Sequence, residues 1–367
     1  MVTTARRSER TNSVEEETKA FVQNGNLGAR RVNEAFIKSV PDHSFWAMKV
    51  LSAECYGAGY DVFELQILKH LKTEGYNHAD YEHMTMLEDS FKHKGPNGMH
   101  ICLVFGVMAE SLVTFTDWFE GGIPGPLVQS FTYQLLQAID CAHACGVIHT
   151  DIKQSNIMVK LPDVSCIPKF LDDTASDIAN LASQSEEYSI VPSRSLKDHY
   201  FEDGFNRMKL DVALADWGVA SWTNKHLTDH NQPRLLRAPE VILHAPWDRK
   251  SICGTSSGEY STKSHLEEMN ALLGSFPSHL LANAKLPGAQ EWFDENGNIA
   301  KLELKTAVFL EMRFSILPEQ EAPKLVALTR SLLELDPKRR ESAKEILESA
   351  AWLCHDYRGN VDNDEST

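Results

Sequence analysis

The chain has 367 residues, 42% of them hydrophobic and 24% charged, which suits a soluble globular protein large enough for two lobes. A formal net charge of −16 argues against polyanionic partners such as nucleic acid or anionic lipid, and favours a basic partner through long-range attraction. The longest nearly apolar run, His100 to Ala109, is far short of the roughly 20 residues of a membrane helix; the polar start MVTTARRSERTNSVEEE has no secretory apolar region, and seven scattered cysteines fit reduced thiols of a cytosolic or nuclear protein.

Residues 1–40 carry little apolar periodicity and are expected to form a mobile arm with one short helix near Val14 to Val22. Phe45 to Leu51 alternates with a period of two, which predicts a strand carrying Ala47, Lys49 and Leu51 on one face. Asp61 to Leu71 predicts a helix, with Phe63, Ile67 and Leu71 at four-residue steps, and His100 to Val107 predicts an apolar strand. Leu127 to Cys145 gives the clearest helix, with Val128, Phe131, Leu135, Ile139 and Ala142 in one stripe, Leu136 beside it and Gly146 as its stop. Val147-Ile148 and Ile157-Met158-Val159 bracket a polar loop. A polar, acidic stretch, about 160–209, reads as an inserted loop before strand character returns at Leu210 to Ala215. From about residue 264 the chain is mostly helical, ending near Leu353 before an acidic tail, 354–367.

The polar loop reads His149-Thr150-Asp151-Ile152-Lys153-Gln154-Ser155-Asn156. Phosphoryl transfer needs a carboxylate to orient and deprotonate the attacking hydroxyl, a cation near the moving phosphate and an oxygen ligand for Mg²⁺. Asp151, Lys153 and Asn156 offer those three groups in that order. Asp216-Trp217-Gly218 places a second carboxylate at a strand end, and Ala238-Pro239-Glu240 follows it. Upstream, Lys49 on its strand precedes Glu64 on the next helix, which fits an ion pair that fixes the ammonium against phosphates; alone, the pair reads as a snorkelling Lys and a solvated Glu.

The joint order of these segments resembles the eukaryotic protein kinases over residues 41–353. The resemblance implies an α+β, bilobal protein-kinase-like fold: a small β-rich N-lobe over 41–108, and a larger, mainly helical C-lobe over 109–353 that carries the insert. It implies ATP and Mg²⁺ as cofactors, with Asp151 as base, Lys153 neutralising the γ-phosphate, Asn156 and Asp216 on the metal, and Lys49 held by Glu64. Phe105 would be the gatekeeper and Gly106 to Met108 the hinge pairing with adenine, with Ala47 and Met158 sandwiching the ring. Asp336-Pro337-Lys338-Arg339-Arg340 matches a late kinase segment in which Arg340 would pair with Glu240.

The finer resemblance is to SR-protein kinases, which phosphorylate serines in Arg/Ser-rich proteins. Thr150 stands where most kinases have Arg, a long insert separates Asn156 from Asp216, and the segment from Asp216 to Glu240 is short. Without that Arg there is no clamp for a phosphorylated loop, so activity should not need one. The implied protein is a monomer acting on a basic, Arg/Ser-rich protein substrate, with no nucleic acid or membrane partner.

Two features depart from the family. The glycine-rich phosphate loop is reduced to Gly25-Asn26-Leu27-Gly28, and no apolar helix of the family's length fits between Lys250 and Tyr260, where Ile252 to Gly258 is short and polar. A skipped or misjoined exon would explain that junction. These departures keep a rival open: a catalytically impaired pseudokinase or truncated splice product acting at most as a binding module. Cys141, His143 and Cys145 invite a metal reading, but on a helix His143 points away from the two thiols, so core thiols are the better reading.

Overall fold

The computed structural model describes residues 34–39, 45–53, 63–95, 98–173, 195–196, 199, 209–228, 231–251, 260–299 and 322–354. The expected helix near Val14 to Val22, the Gly25–Gly28 segment, most of the insert, the junction at 252–259 and the tail 355–367 lie outside them. The chain divides into two units, Met1–Tyr76 with Glu82–Leu127 and Ile157–Gly218, and Asn77–Tyr81 with Val128–Asn156 and Val219–Thr367.

The first unit is built on a four-stranded antiparallel sheet of order β1-β2-β4-β3: β1 (Glu34–Ser39), β2 (Phe45–Val50), β3 (Leu87–Gly95) and β4 (Gly98–Gly106). Met48 and Val50 of β2 are buried with Phe91, Cys102 and Val104, while Ala47 and Lys49 are half-buried on the opposite face. The alternation is therefore as expected, except that the strand ends at Val50 and Leu51 is buried beyond it.

The helix Glu64–Glu74 begins three residues later than the sequence pattern suggests. It buries Ile67, Leu68 and Leu71, and Lys72 Nζ donates to the carbonyls of Leu87 and Glu88, which ties the helix to β3. A second sheet, β5-β7-β8, joins Met108–Ser111, Ile157–Lys160 and Val212–Leu214. Leu214 bridges in parallel to Met84, and the Leu214 carbonyl accepts from both the N–H and the hydroxyl of Thr85. These bonds fix the end of β8, two residues before Asp216.

The start of the insert is not the polar loop expected from its composition. Phe170 and Leu196 form a buried cluster against half-buried Val107, Ala109, Trp118, Leu161, Cys166 and Leu171. Few apolar residues in an acidic stretch suffice, because each removes apolar surface from water irrespective of any period.

In the second unit, most of the helix Gly125–Ala144 leads through Gly146, at φ 72°, into β6 (Val147–Ile148). Of the expected stripe Phe131, Ile139 and Ala142 are buried, with Leu136 beside them, but Val128 is 37% exposed and Leu135 half-buried, while Gln129, Gln134, Ala138 and Cys141 are buried outside it. Gln129 is taken inward because its amide donates to the Trp352 carbonyl, a tertiary bond that outweighs its polarity. Strand β6 pairs antiparallel with β9 (Ser221–Trp222). The helices Pro239–Ile242, Thr262–Leu273 and Ser278–Ala282 pack a core of Ile242, Leu243, Leu266, Met269, Phe276 and Leu280. The helices Ala322–Leu333 and Ala343–Ser349 follow, the second opened by a Ser342/Glu345 capping box.

Candidate active site

Each unit assembles part of the chemistry. In the first, Lys49 on β2 points its Nζ at Glu64 Oε1 and Asp216 Oδ1, 2.8 Å from each. Strand pairing sets Lys49 opposite Leu103, the helix Glu64–Glu74 supplies Glu64 from its first turn, and β8 delivers Asp216. Burial favours losing the Lys49 proton, but the charges of Glu64 and Asp216 outweigh it and hold the ammonium above its ordinary pKa. Glu64 is itself pushed up by burial, only partly offset by Lys49. Lys49 stays charged, because two carboxylates face it at hydrogen-bond distance.

Glycine at position 218 follows from this geometry. A Cβ there would lie 3.3 Å from Asp216 Oδ1 and 3.3 Å from Glu64 Oε2, crowding both carboxylates. Trp217 turns inward and is fully buried, and Asp216 itself sits at φ 63°, a left-handed conformation that costs a non-glycine residue of order 1 kcal/mol or more. The turn between strand and glycine therefore holds its carboxylate in a fixed, strained pose.

The residues expected around adenine lie in the same unit. Ala47 is directly opposite Phe105 in the β2–β4 register, Phe105 is the penultimate residue of β4, and Met108 opens β5 after Val107 interrupts the strands. Met158 is on β7, paired with Ser111 and Ala213. Ala47, Phe105, Met108 and Met158 are all half-buried, leaving surface for a flat apolar ring, while the alternate residues Met48, Ile157 and Val159 are buried.

In the second unit the loop 149–156 is closed on itself. Asp151 Oδ2 accepts from Lys153 Nζ at 2.8 Å and from Asn156 Nδ2 at 2.8 Å, and Asn156 Nδ2 also donates to the Asp151 carbonyl at 2.9 Å. The amide nitrogen of Asn156 makes both bonds, so its carbonyl oxygen is the atom suited to a hard cation. His149 is buried and accepts the Asp151 N–H at 3.3 Å on Nδ1, a bracing role. Thr150, at φ 64°, donates its hydroxyl to the Val219 carbonyl at 2.7 Å.

Arg340 and Glu240 meet as the resemblance to kinases implies, and the segments on either side of Glu240 are tied in by residues that carry no sequence signal. Gln232, at φ 67°, accepts the Ala238 N–H at 2.7 Å and donates to the Ser251 carbonyl; Ser251 in turn donates to Glu240. Cys141 is a buried thiol, pushed up to about 12 by burial, in keeping with a core residue.

Comparison with known proteins agrees with this chemistry. The model of the protein kinase domain matches residues 30–190. A serine/threonine-protein kinase SRPK of Physarum polycephalum is 28% identical over 86% of this chain and 80% of its own length. Protein kinase dsk1 of Schizosaccharomyces pombe is 25% identical over 84% and 75%, and the human dual specificity protein kinase CLK1 is 24% identical over 77% and 55%. With a charged lysine held by two carboxylates and a self-bonded Asp-Lys-Asn loop, the chain is similar to the protein kinase domain over residues 30–190 and, over most of its length, to SRPK-type serine/threonine kinases.

Proposed function

We propose that the chain transfers the γ-phosphoryl group of Mg²⁺-bound ATP to serine hydroxyls in basic, Arg/Ser-rich protein segments. The observation that carries this reading is the Lys49 ammonium, 2.8 Å from both Glu64 and Asp216, residues 15 and 167 positions away. An ammonium so fixed is a ready partner for phosphate oxygens.

Each unit offers groups that suit a nucleotide and a hard divalent ion: the first an exposed carboxylate on Asp216 and the Lys49 ammonium, the second an amide oxygen on Asn156 and the Lys153 ammonium. The metal, when bound, screens phosphate charge. Asp216 and Asn156 would hold it, and Lys49 would seat the phosphates. Asp151 would orient the serine hydroxyl and take its proton, and Lys153, now paired with Asp151 at 2.8 Å, would turn its charge to the moving phosphoryl group. Ala47, Phe105, Met108 and Met158 would receive adenine.

The net charge of −16 supports a basic substrate, since opposite charge raises encounter rates with Arg-rich segments. The same charge speaks for a protein that leaves nucleic acid and membranes alone, and we place it as a monomer in cytoplasm or nucleus, where buried thiols such as Cys102 and Cys141 stay reduced. The rival reading as a pseudokinase is not favoured: Lys49, Glu64, Asp151, Lys153, Asn156 and Asp216 are all in place, and the relatives are named as kinases.

The test is transfer of radiolabelled phosphate from ATP to an Arg/Ser repeat peptide by the full-length chain. The wild type should label the peptide, and Asp151→Asn should abolish labelling while still binding ATP. Equal labelling by both proteins would remove Asp151 from its role.

A further inference from the structure

Ser195, late in the insert, donates its hydroxyl to Glu110 Oε1 at 2.5 Å, across 85 positions of sequence. Glu110 lies on β5 and is 7% exposed, whereas Ser195 is exposed and its backbone belongs to no helix or strand. The next residue, Leu196, is buried against Phe170, and that pair packs on half-buried Val107 and Ala109. His199 adds a second tie: its ring meets Phe170 edge-on, with centroids 5.3 Å apart, and its Nε2 is 3.0 Å from Asp173 Oδ2. Both legs of the insert are thereby held against the residues that flank Met108, one of those expected around adenine. All of these residues lie within the first unit.

The sequence at this contact reads Ser193-Arg194-Ser195, a short Arg/Ser segment of the kind assigned above to the substrate. Arg-Ser recurs at Arg7-Ser8, outside the described residues, and at Arg330-Ser331, where Ser331 is half-buried inside the helix Ala322–Leu333. A serine hydroxyl must come within hydrogen-bond reach of the base, which needs an exposed chain whose backbone is not spent on helical hydrogen bonds. Ser195 meets that need and Ser331 does not.

We propose that Ser195 is a phosphorylation site of the chain's own transferase activity, and that its phosphate releases the insert from β5. The inference rests on the kinase reading and adds the regulation of that same site. In the transfer a bond forms between Ser195 Oγ and the γ-phosphorus. The bond from that phosphorus to the β–γ bridging oxygen breaks, ADP leaves, and the hydroxyl proton passes to the Asp151 carboxylate. The product has no hydroxyl proton left to give Glu110. It sets a charge of about −1.5 to −2 against a buried carboxylate, so attraction becomes repulsion. Ser195 and Leu196 then leave Glu110 and Phe170, which uncovers Val107 and Ala109 on both sides of Met108. The adenine contact loosens while the groups that handle phosphate are untouched, so KM for ATP rises and the rate at saturating ATP stays.

The experiment incubates the full-length chain with Mg²⁺ and ATP, adds an Arg/Ser repeat peptide as a separate reporter, and maps phosphate on the chain by mass spectrometry. Phosphate is expected on Ser195. It should persist in Ser193→Ala, form about tenfold more slowly in Arg194→Ala, and be absent from Asp151→Asn incubated alone. The chain phosphorylated in this way should show KM for ATP raised about threefold or more, and Glu110→Gln, which removes the repelled charge, should show less of that rise. A labelled peptide with no phosphate on Ser195 overturns this proposal and leaves the kinase reading standing, whereas no label on either overturns both. Phosphate on Ser195 of Asp151→Asn incubated alone assigns it to another enzyme, and an unchanged KM after phosphorylation shows that the insert stays in place. Either result overturns the proposal.

Discussion

Arg340 and Glu240 lie 100 residues apart in sequence and are both fully buried, with Arg340 Nη1 and Nη2 donating to the two carboxylate oxygens at 2.6 and 3.1 Å. The guanidinium is also spent on backbone: Nη1 reaches the Lys250 carbonyl at 2.9 Å and Nε the Glu334 carbonyl at 2.8 Å. Every contact is within the second unit. Breaking one half of such a pair leaves an uncompensated charge in a medium of low polarisability.

Arg340→Ala should therefore destabilise the chain by about 3–5 kcal/mol. Replacing both partners, Arg340→Met with Glu240→Leu, should cost less than either single change, because no lone charge remains. Urea denaturation of the three proteins measures this, and a loss under about 1 kcal/mol for Arg340→Ala would show that water or another group takes over the carboxylate.

Lys49 is the residue on which nucleotide chemistry turns. Lys49→Met keeps the length of the side chain and removes its charge, leaving Glu64 buried at 2% exposure beside Asp216 with no cation between them. Transfer to an Arg/Ser peptide should fall by about 100-fold or more, the size of losing one preorganised charge partner. Glu64→Gln leaves Lys49 bonded to Asp216, so it should do less: a raised KM for ATP and a smaller drop in kcat. Steady-state kinetics separate the two, and an unchanged KM in Glu64→Gln would mean the helix carboxylate does not position the ammonium.

The parts of the fold legible in the sequence are those where chemistry or period forces residue types to fixed spacings. The strand alternation around Lys49 and the Asp151-Lys153-Asn156 loop are of this kind, whereas the Glu240–Arg340 pairing comes only from the resemblance to kinases. What could not be read depends on distant partners. The helix Gly125–Ala144 is legible as a helix, yet its buried face only in part: Phe131, Ile139 and Ala142 are buried as expected, but Gln129 goes inward to reach Trp352 while Val128 stays exposed. Phe170 and Leu196 had no period to announce their packing against Val107 and Trp118. Gln232 and the Thr150–Val219 bond are loop-to-loop contacts, for which single residues carry no signature.

Thr150 replaces a guanidinium with a short hydroxyl that holds the backbone of Val219, the first residue after the Asp216-Trp217-Gly218 turn, at 2.7 Å. The segment is thus tied to the loop without any phosphate. Treatment of the purified chain with a phosphatase should leave its transfer rate unchanged, and Thr150→Val, which keeps the shape and removes the donor, should cost about 1 kcal/mol of stability and lower the rate. Loss of activity on phosphatase treatment would show that a phosphate supplies the clamp after all.

His143 sits in the last turn of the helix Gly125–Ala144, buried, with its pKa lowered to about 4, first by burial and then by the charge of Arg249. Its ordinary value is about 6.5. Between those two values the unfolded chain takes up a proton that the folded chain refuses, so stability must fall as the pH drops from about 6.5 to about 4. At about 1.36 kcal/mol per unit, the shift amounts to about 3 kcal/mol across the window, and above 6.5 it has no effect. His143→Gln cannot take up that proton. Urea midpoints measured at pH 7 and pH 5 should therefore converge for His143→Gln relative to the wild type. If both proteins lose the same stability between those two values, the imidazole takes up its proton in the folded chain at the same pH as in the unfolded one, and neither burial nor Arg249 lowers its pKa.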